Sequence, residues 1–286
     1  MNFFKLIVCT SLFLFAPLMC SAQTIKISGG AGLSREVAPQ DTLDYTAIRC
    51  EYTQWIVQDT LQPKKWTKDR MFLQIGSKVS KFSNYDSFIN DSIIRAQTME
   101  GLSISEILAS GMSRKRGGIK YEVLKGYPKG KNTYTGDMFA DYFSYEELIK
   151  IPRWELSQDT MTILGYLCKK AICTFYCREY TAWYAPEIAV SEGPWKLSGL
   201  PGLILKVYDK KRQIQFDAVA IEKVGWKDPI FNVLREGLQK TTKAKFQKAY
   251  ADYMKNPASV MQKTVDVSNL TNSVKSKPYN PIELCD

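Results

Sequence analysis

Histidine is missing altogether from this 286-residue chain. With it go Ser-His-Asp and Cys-His nucleophile systems, histidine-ligated zinc and most imidazole acid–base schemes. Any catalysis would have to run on carboxylates, lysine, tyrosine or cysteine. No C-x-x-C pair occurs, so the local spacing of redox and thiolate-metal motifs is absent too. A phosphate loop is also wanting. The stretch Gly193 to Gly199 does not make G-x-x-x-x-G-K-[ST]: five residues separate the glycines, and Leu200 stands where the lysine should be. A dinucleotide fingerprint fails because a β-type run follows the glycines where a helix should begin. There is no concentrated basic tract of the kind that marks a nucleic-acid arm. Nothing here implies a cofactor or a metal, and no internal repeat or domain boundary is visible.

What is present begins with "MNFFKLIVCTSLFLFAPLMCSAQ". Lys5 supplies a positive start, Leu6 to Met19 an apolar stretch, and Cys20-Ser21-Ala22 a run of small residues before polar Gln23. That layout predicts a signal peptide over residues 1–22, cut between Ala22 and Gln23. Lipid attachment at Cys20 is disfavoured because Met19 stands where a small residue is wanted. No later run is long and apolar enough to span a bilayer. The expected mature protein is periplasmic, outer-membrane-associated or secreted. It comprises a single domain over 23–257 and an extended tail over 258–286. An apolar share of 45 % with 24 % charged residues is globular composition. The balance of 39 Lys+Arg against 29 Asp+Glu fits contact with an anionic envelope surface or an acidic partner, and equally fits solubility alone.

Cleavage leaves Cys50, Cys168, Cys173, Cys177 and Cys285, an odd set with at least one thiol unpaired or joined to a partner. In a strand, Cys173 and Cys177 would lie roughly 13 Å apart, beyond disulfide reach unless a turn falls between them. Cross-strand bonds or buried free thiols are the expectation.

Periodicity predicts mostly strands. Leu43 to Val57 reads as one long strand, followed by β pattern through "KKWTKDRMFLQIG" and a short strand over Lys78 to Phe82. A helix capped by Ser83 or Asn84 follows, and Gly101 to Gly118 is ambiguous. Tyr121 to Phe139 reads as a hairpin, "SYEELIK" as a short helix, and "MTILGYLCKKAICTF" as one strand. "REYTAWYAPEI", "LILKVYD" and "QIQFDAVAIE" are further strands, and Thr241 to Lys255 is an amphipathic helix stopped by Asn256-Pro257. In "GPWKLSGLPGLIL", proline and glycine suit turns and Leu203-Ile204-Leu205 suits a central strand. The aromatic Trp183, Tyr184 and Trp195 bracket it. Glu187, Glu192 and Asp209 lie close in sequence, and nothing marks two of them as an acid–base pair.

Residues 163–209 closely resemble the GLPGLI family of exported Bacteroidota proteins. The naming motif stands letter for letter at Gly199, Leu200, Pro201, Gly202, Leu203 and Ile204. "GYLCKKA", "AWYAPEI", "GPWKL" and the terminal "YNPIEL" resemble further family patterns. One departure is Cys177, at a turn position usually held by glycine. The resemblance implies export and a β-rich fold, and it carries no reaction. "DTL" at 41–43 and 59–61, "DSI" at 91–93 and "DTM" at 159–161 match an O-glycosylation pattern of exported Bacteroidota proteins. They make Thr42, Thr60, Ser92 and Thr160 candidate acceptors, with ordinary turn residues as the alternative.

The expected fold is a β-rich α+β curved antiparallel sheet with a few helices, a half-barrel like that of periplasmic lipoprotein carriers. The expected function is non-enzymatic binding of an apolar or lipid-like ligand, near Trp183, Tyr184, Trp195, Leu200, Leu203 and Leu205. Two readings stand beside it: an assembly protein docking an outer-membrane partner, and a histidine-free carboxylate enzyme. N-terminal sequencing of protein recovered from the cell envelope should begin at Gln23; an intact residue 1 would overturn the cleavage assignment.

Overall fold

A computed structural model describes residues 37–111, 118–139, 141–258 and 276–286. The Ala22–Gln23 cleavage site and most of "MSRKRGG" lie outside these residues. In chain order the elements are β1 (Gln40–Tyr45), β2 (Ile48–Ile56), β3 (Thr67–Ile75), β4 (Ser80–Asn84), α1 (Tyr85–Met99), α2 (Ile104–Gly111), β5 (Tyr121–Lys125), β6 (Lys131–Met138) and β7 (Asp141–Leu148). Then come β8 (Glu155–Ile163), β9 (Tyr166–Phe175), β10 (Arg178–Ala185), β11 (Leu203–Asp209), β12 (Ile214–Lys223), β13 (Pro229–Val233), β14 (Gln239–Lys240) and α3 (Lys243–Lys255).

Twelve strands form one curved, unclosed sheet in the order β14-β7-β6-β5-β4-β3-β2-β12-β11-β10-β9-β8, and β1 pairs with β13 apart from it. Every pair is antiparallel except β14 with β7. Register shifts within β10 at Trp183/Tyr184 and within β12 at Ala218/Ala220 are the bulges that bend such a sheet. The curvature brings β5 to face the segment between β10 and β11, and one buried cluster joins residues of β2–β5 to residues of β9–β12.

The predicted β-rich fold, with a few helices, is the observed one, and several boundaries are corrected. The run Leu43 to Val57 is two strands. Thr46 donates its N–H to Asp228 and Ala47 to Ile75, so the chain leaves β1 and enters the main sheet as β2. "SYEELIK" is not helical. Its residues Ser144 to Leu148 belong to β7, paired with β6 from Lys131↔Leu148 to Met138↔Asp141, and that ladder overrides the helix propensity of Glu-Glu-Leu. "MTILGYLCKKAICTF" is two strands, because Leu164 and Gly165 both take positive φ (51° and 84°) and close a two-residue hairpin turn. The helix after Ser83 is α1, with the Asn84 side chain accepting from the N–H of Ser87. Phe72 of β3 packs on Phe88 of α1 at 4.9 Å. α2 occupies part of the ambiguous stretch, and α3 falls within the predicted helix, capped by Thr242.

"LILKVYD" is β11 to the residue, buried at Leu203, Ile204, Leu205 and Val207. It follows Gly202, whose φ is +152° and whose Cβ, if it had one, would lie 2.4 Å from the carbonyl oxygen of Ala185. Gly202→Ala should therefore lower the unfolding free energy by about 3 kcal/mol or abolish folding. Gly165→Ala, with open space around it, should cost about 1 kcal/mol for its positive φ alone. Urea unfolding of the two variants checks the contrast, and equal losses would overturn it.

Candidate functional site

The segment Gly193–Leu197 is held from across the fold by one ammonium. Lys125 at the end of β5 is buried, donating to the carbonyls of Gly193 (2.6 Å) and Leu197 (3.2 Å) and to the Glu192 carboxylate (2.8 Å). Glu192 also accepts from the Ser80 hydroxyl at 2.9 Å. Trp154 donates its indole N–H to Ser198 O at 2.8 Å, and Tyr52 its hydroxyl to Ile204 O at 2.7 Å. Buried backbone carbonyls require such donors. Held this way, Trp195 takes φ +54°, and Lys196 is carried inward.

Lys196 is 2 % exposed. Its ammonium pairs with Glu147 of β7 and with Glu283 near the C-terminus. The rings of Tyr145, Tyr176, Trp195 and Tyr134 surround it at 5.3 to 5.7 Å. Lys243, at the start of α3, joins the same carboxylates, 2.6 Å from Glu283 and 3.4 Å from Glu147, and lies 4.1 Å from the Tyr176 ring centroid. Burial works against its charge, but hydrogen bonding and attraction to Glu283 outweigh that and hold its pKa above the ordinary lysine value. Two lysines and two carboxylates thus lock β7, α3, the Gly193–Leu197 segment and the C-terminal residues at one point.

Residues 276–286 form no helix or strand, yet they are fixed at several places. Buried Arg178 donates to the Asn280 side chain (2.7 Å) and to the carbonyls of Pro281 (2.6 Å) and Ile282 (2.9 Å), while pairing with buried Asp209 at 3.0 Å. Asn280 donates to Val57 O at 2.8 Å. Cys285 forms a disulfide with Cys177. The turn that places Cys177 there has φ +46° at Tyr176 and +60° at Cys177, so this cysteine adopts the left-handed conformation glycine favours. The local Cys173–Cys177 bond does not form. Cys50, Cys168 and Cys173 are buried free thiols, and burial pushes the Cys50 thiol up to about 12.

Between the sheet, α3 and this C-terminal strap lies a cavity of about 470 Å³. Its lining is chiefly aromatic. Tyr121, Tyr134 and Tyr145 stack across β5, β6 and β7, with neighbouring centroids at 5.8 and 4.9 Å. Phe246 and Tyr250 of α3 face them, and Tyr279 of the strap lies 5.2 Å from Tyr250. Gly136 makes room for this meeting, since a Cβ there would come 2.9 Å from the Tyr134 ring and 3.3 Å from Phe246. Asp137 also lines the cavity. Burial raises its carboxyl above the usual range, against the opposing pull of Lys120, whose ammonium is 3.9 Å away.

Of the residues expected to line a ligand site, only Trp195 borders this cavity. Trp183, Tyr184, Leu200, Leu203 and Leu205 are packed in the core. Glu187 is exposed, while Glu192 and Asp209 are bound to Lys125 and Arg178. Thr42, Thr60, Ser92 and Thr160 are all exposed. Among the described residues no group of three or more Cys, Asp or Glu is placed to hold a metal ion, and no helix is long and apolar enough to cross a membrane. The site itself is partly visible in sequence, since Thr241 to Lys255 reads as an amphipathic helix and its Phe246, Tyr250, Tyr253 and Met254 line the cavity. Tyr145 was concealed by the helical reading of "SYEELIK".

Residues 143–248 match the family described as N-glycanase peptide, N-terminal domain. That span runs from β7 into α3 and is less than half of the chain. Two solved structures of PNGF-II, in the P21 and C2 space groups, are similar in fold at 12 % identity, with TM-scores of 0.46 and 0.45. They cover 71 % and 70 % of this chain, which spans 32 % of the length of each. No match is found among curated proteins.

The strap should respond to alkali. Burial first, and then the negative charge of Glu283, push the Tyr279 hydroxyl up to about 12, from an unfolded value of about 10. A raised folded pKa gives stability that is whole below pH 10 and is lost as pH rises towards 12. Tyr279→Phe should flatten that decline by about 1 kcal/mol, read as the difference between the two proteins in urea unfolding at pH 9 and pH 11. Identical slopes would mean that the hydroxyl is solvated in the fold.

Proposed function

We propose that the chain is an exported, non-enzymatic binding protein of the GLPGLI family, acting in the periplasm or at the outer membrane. Its ligand presents an apolar or lipid-like face to the aromatic cavity beneath α3. The observation that carries this reading is the cavity itself. About 470 Å³ is in the range of small-molecule sites, which are mostly apolar with a few placed polar groups. Here the stacked tyrosines supply the apolar floor, and Asp137, Gln247 and Lys277 supply the polar groups. The lack of histidine and the separate engagement of Glu192 and Asp209 favour binding over catalysis. Exposure of Thr42, Thr60, Ser92 and Thr160 suits all four as glycan acceptors on an exported protein.

A second reading replaces the lipid-like ligand with a glycan. The match of residues 143–248 to an N-glycanase N-terminal domain favours it, because aromatic faces and hydrogen-bonding side chains together suit a hydroxylated ring.

Native mass spectrometry of protein taken from the periplasm tests both. The wild type should carry an adduct that Tyr250→Ala loses while remaining folded, and extraction into organic or aqueous solvent separates lipid from glycan. A wild type free of adduct, with no binding from either extract, would defeat the proposal.

A further inference from the structure

The C-terminal strap is the least self-supporting wall of the cavity. Lys277, Tyr279, Asn280, Pro281, Ile282 and Glu283 all line it. The strap adds no strand to the sheet. Among the described residues, the backbone N–H bonds it makes to the rest of the fold are those of Lys277 to Met254 O and Leu284 to Tyr176 O. A segment of this kind is held by what it touches and opens before the sheet does.

Its covalent tie stands at the penultimate residue and is open to solvent. Cys177 and Cys285 are both exposed, whereas Cys50, Cys168 and Cys173 are buried. Thiol–disulfide exchange needs an accessible sulfur. A reductant meeting the folded protein therefore reaches the strap's tie and leaves the core thiols alone.

We propose that Cys177–Cys285 is a redox latch on the ligand cavity: reduction frees residues 276–286 and removes that wall, so bound ligand exchanges quickly. The inference rests on the cavity being the binding site. The step is ordinary exchange with a dithiol reductant. One thiolate of the dithiol attacks a sulfur of the bond to give a mixed disulfide. The second thiolate then displaces the protein sulfur. Two electrons and two protons pass to the protein, leaving thiols at Cys177 and Cys285 and the reductant as its disulfide. Lys196 and Lys243 remain to recapture Glu283 when the bond re-forms, which makes the latch reversible.

Hydrogen exchange followed by mass spectrometry, on folded protein with and without dithiothreitol, tests this directly. Amides of 276–286 should exchange about tenfold faster or more after reduction, with β9 to β12 unchanged. A Cys177→Ser/Cys285→Ser double variant should show the same without reductant. In the reduced wild type, iodoacetamide should label Cys177 and Cys285 and spare Cys50, Cys168 and Cys173. Unchanged exchange in the strap would overturn the latch, since the polar contacts would suffice. Faster exchange throughout the sheet, or labelling of the core thiols, would also overturn it by making the bond a staple for the whole fold. Anilinonaphthalenesulfonate serves as the cavity probe, and its dissociation should quicken on reduction. If the dye binds neither form, the cavity reading fails, and the exchange data still decide whether the strap is latched.

Discussion

Burying the ammonium of Lys196 is the constraint on which the rest of this structure depends. A buried charge must be paired and hydrogen-bonded, and removing a partner from such a pair costs about 3–5 kcal/mol. Lys196 draws its carboxylates from Glu147 in β7 and from Glu283, 87 residues further along the chain. The same C-terminal residues are tied beside it by Arg178 and by the Cys177–Cys285 disulfide. Satisfying this charge fixes where the strap runs, and Lys243 adds α3 to the same junction.

The glycine-rich stretch gains a physical meaning from this. It is no cradle for phosphate, since its own carbonyls are the groups being served, by Lys125, Trp154 and Tyr52. Its glycines allow close approach, as at Gly202 against Ala185. Its one inward cation then meets the Glu of "NPIEL". Two sequence patterns that seemed separate, "GPWKL" and "YNPIEL", are the two halves of one ion-pair contact.

Much of the fold was legible in the sequence because strand periodicity is local. The alternation of Ile214, Phe216, Ala218 and Ala220 holds in β12 for the first three, which are buried, and breaks at the bulge that leaves Ala220 exposed, while the boundaries of "LILKVYD" are those of β11. The errors arose where long-range pairing decided. Nothing within "SYEELIK" announces that Tyr145 will lie opposite Tyr134, and nothing within Leu43 to Val57 announces that β1 will leave the main sheet for β13. The site was harder still. Aromatic residues close together in sequence, Trp183 and Tyr184, went to the core. The cavity was assembled from residues on β5, β6, β7, α3 and the strap, an arrangement that only the curvature of the sheet produces.

This placement separates the stability of the fold from that of the cavity. The core cluster joins β2–β5 to β9–β12 through fully buried side chains such as Cys50, Leu73, Phe82 and Phe216, and it includes no residue of the strap among its buried members. The cavity instead depends on Arg178, Lys196 and Lys243 reaching the last residues of the chain. Polar ties of this sort can be undone one at a time without opening the core. Binding regions are commonly drawn from the less stable parts of a protein, because ligand must enter and leave without global unfolding. For the proposed ligand, a cavity floored by stacked tyrosines of the sheet and walled by a tethered terminus meets both demands: the floor keeps its shape, and the wall moves when its ties are released.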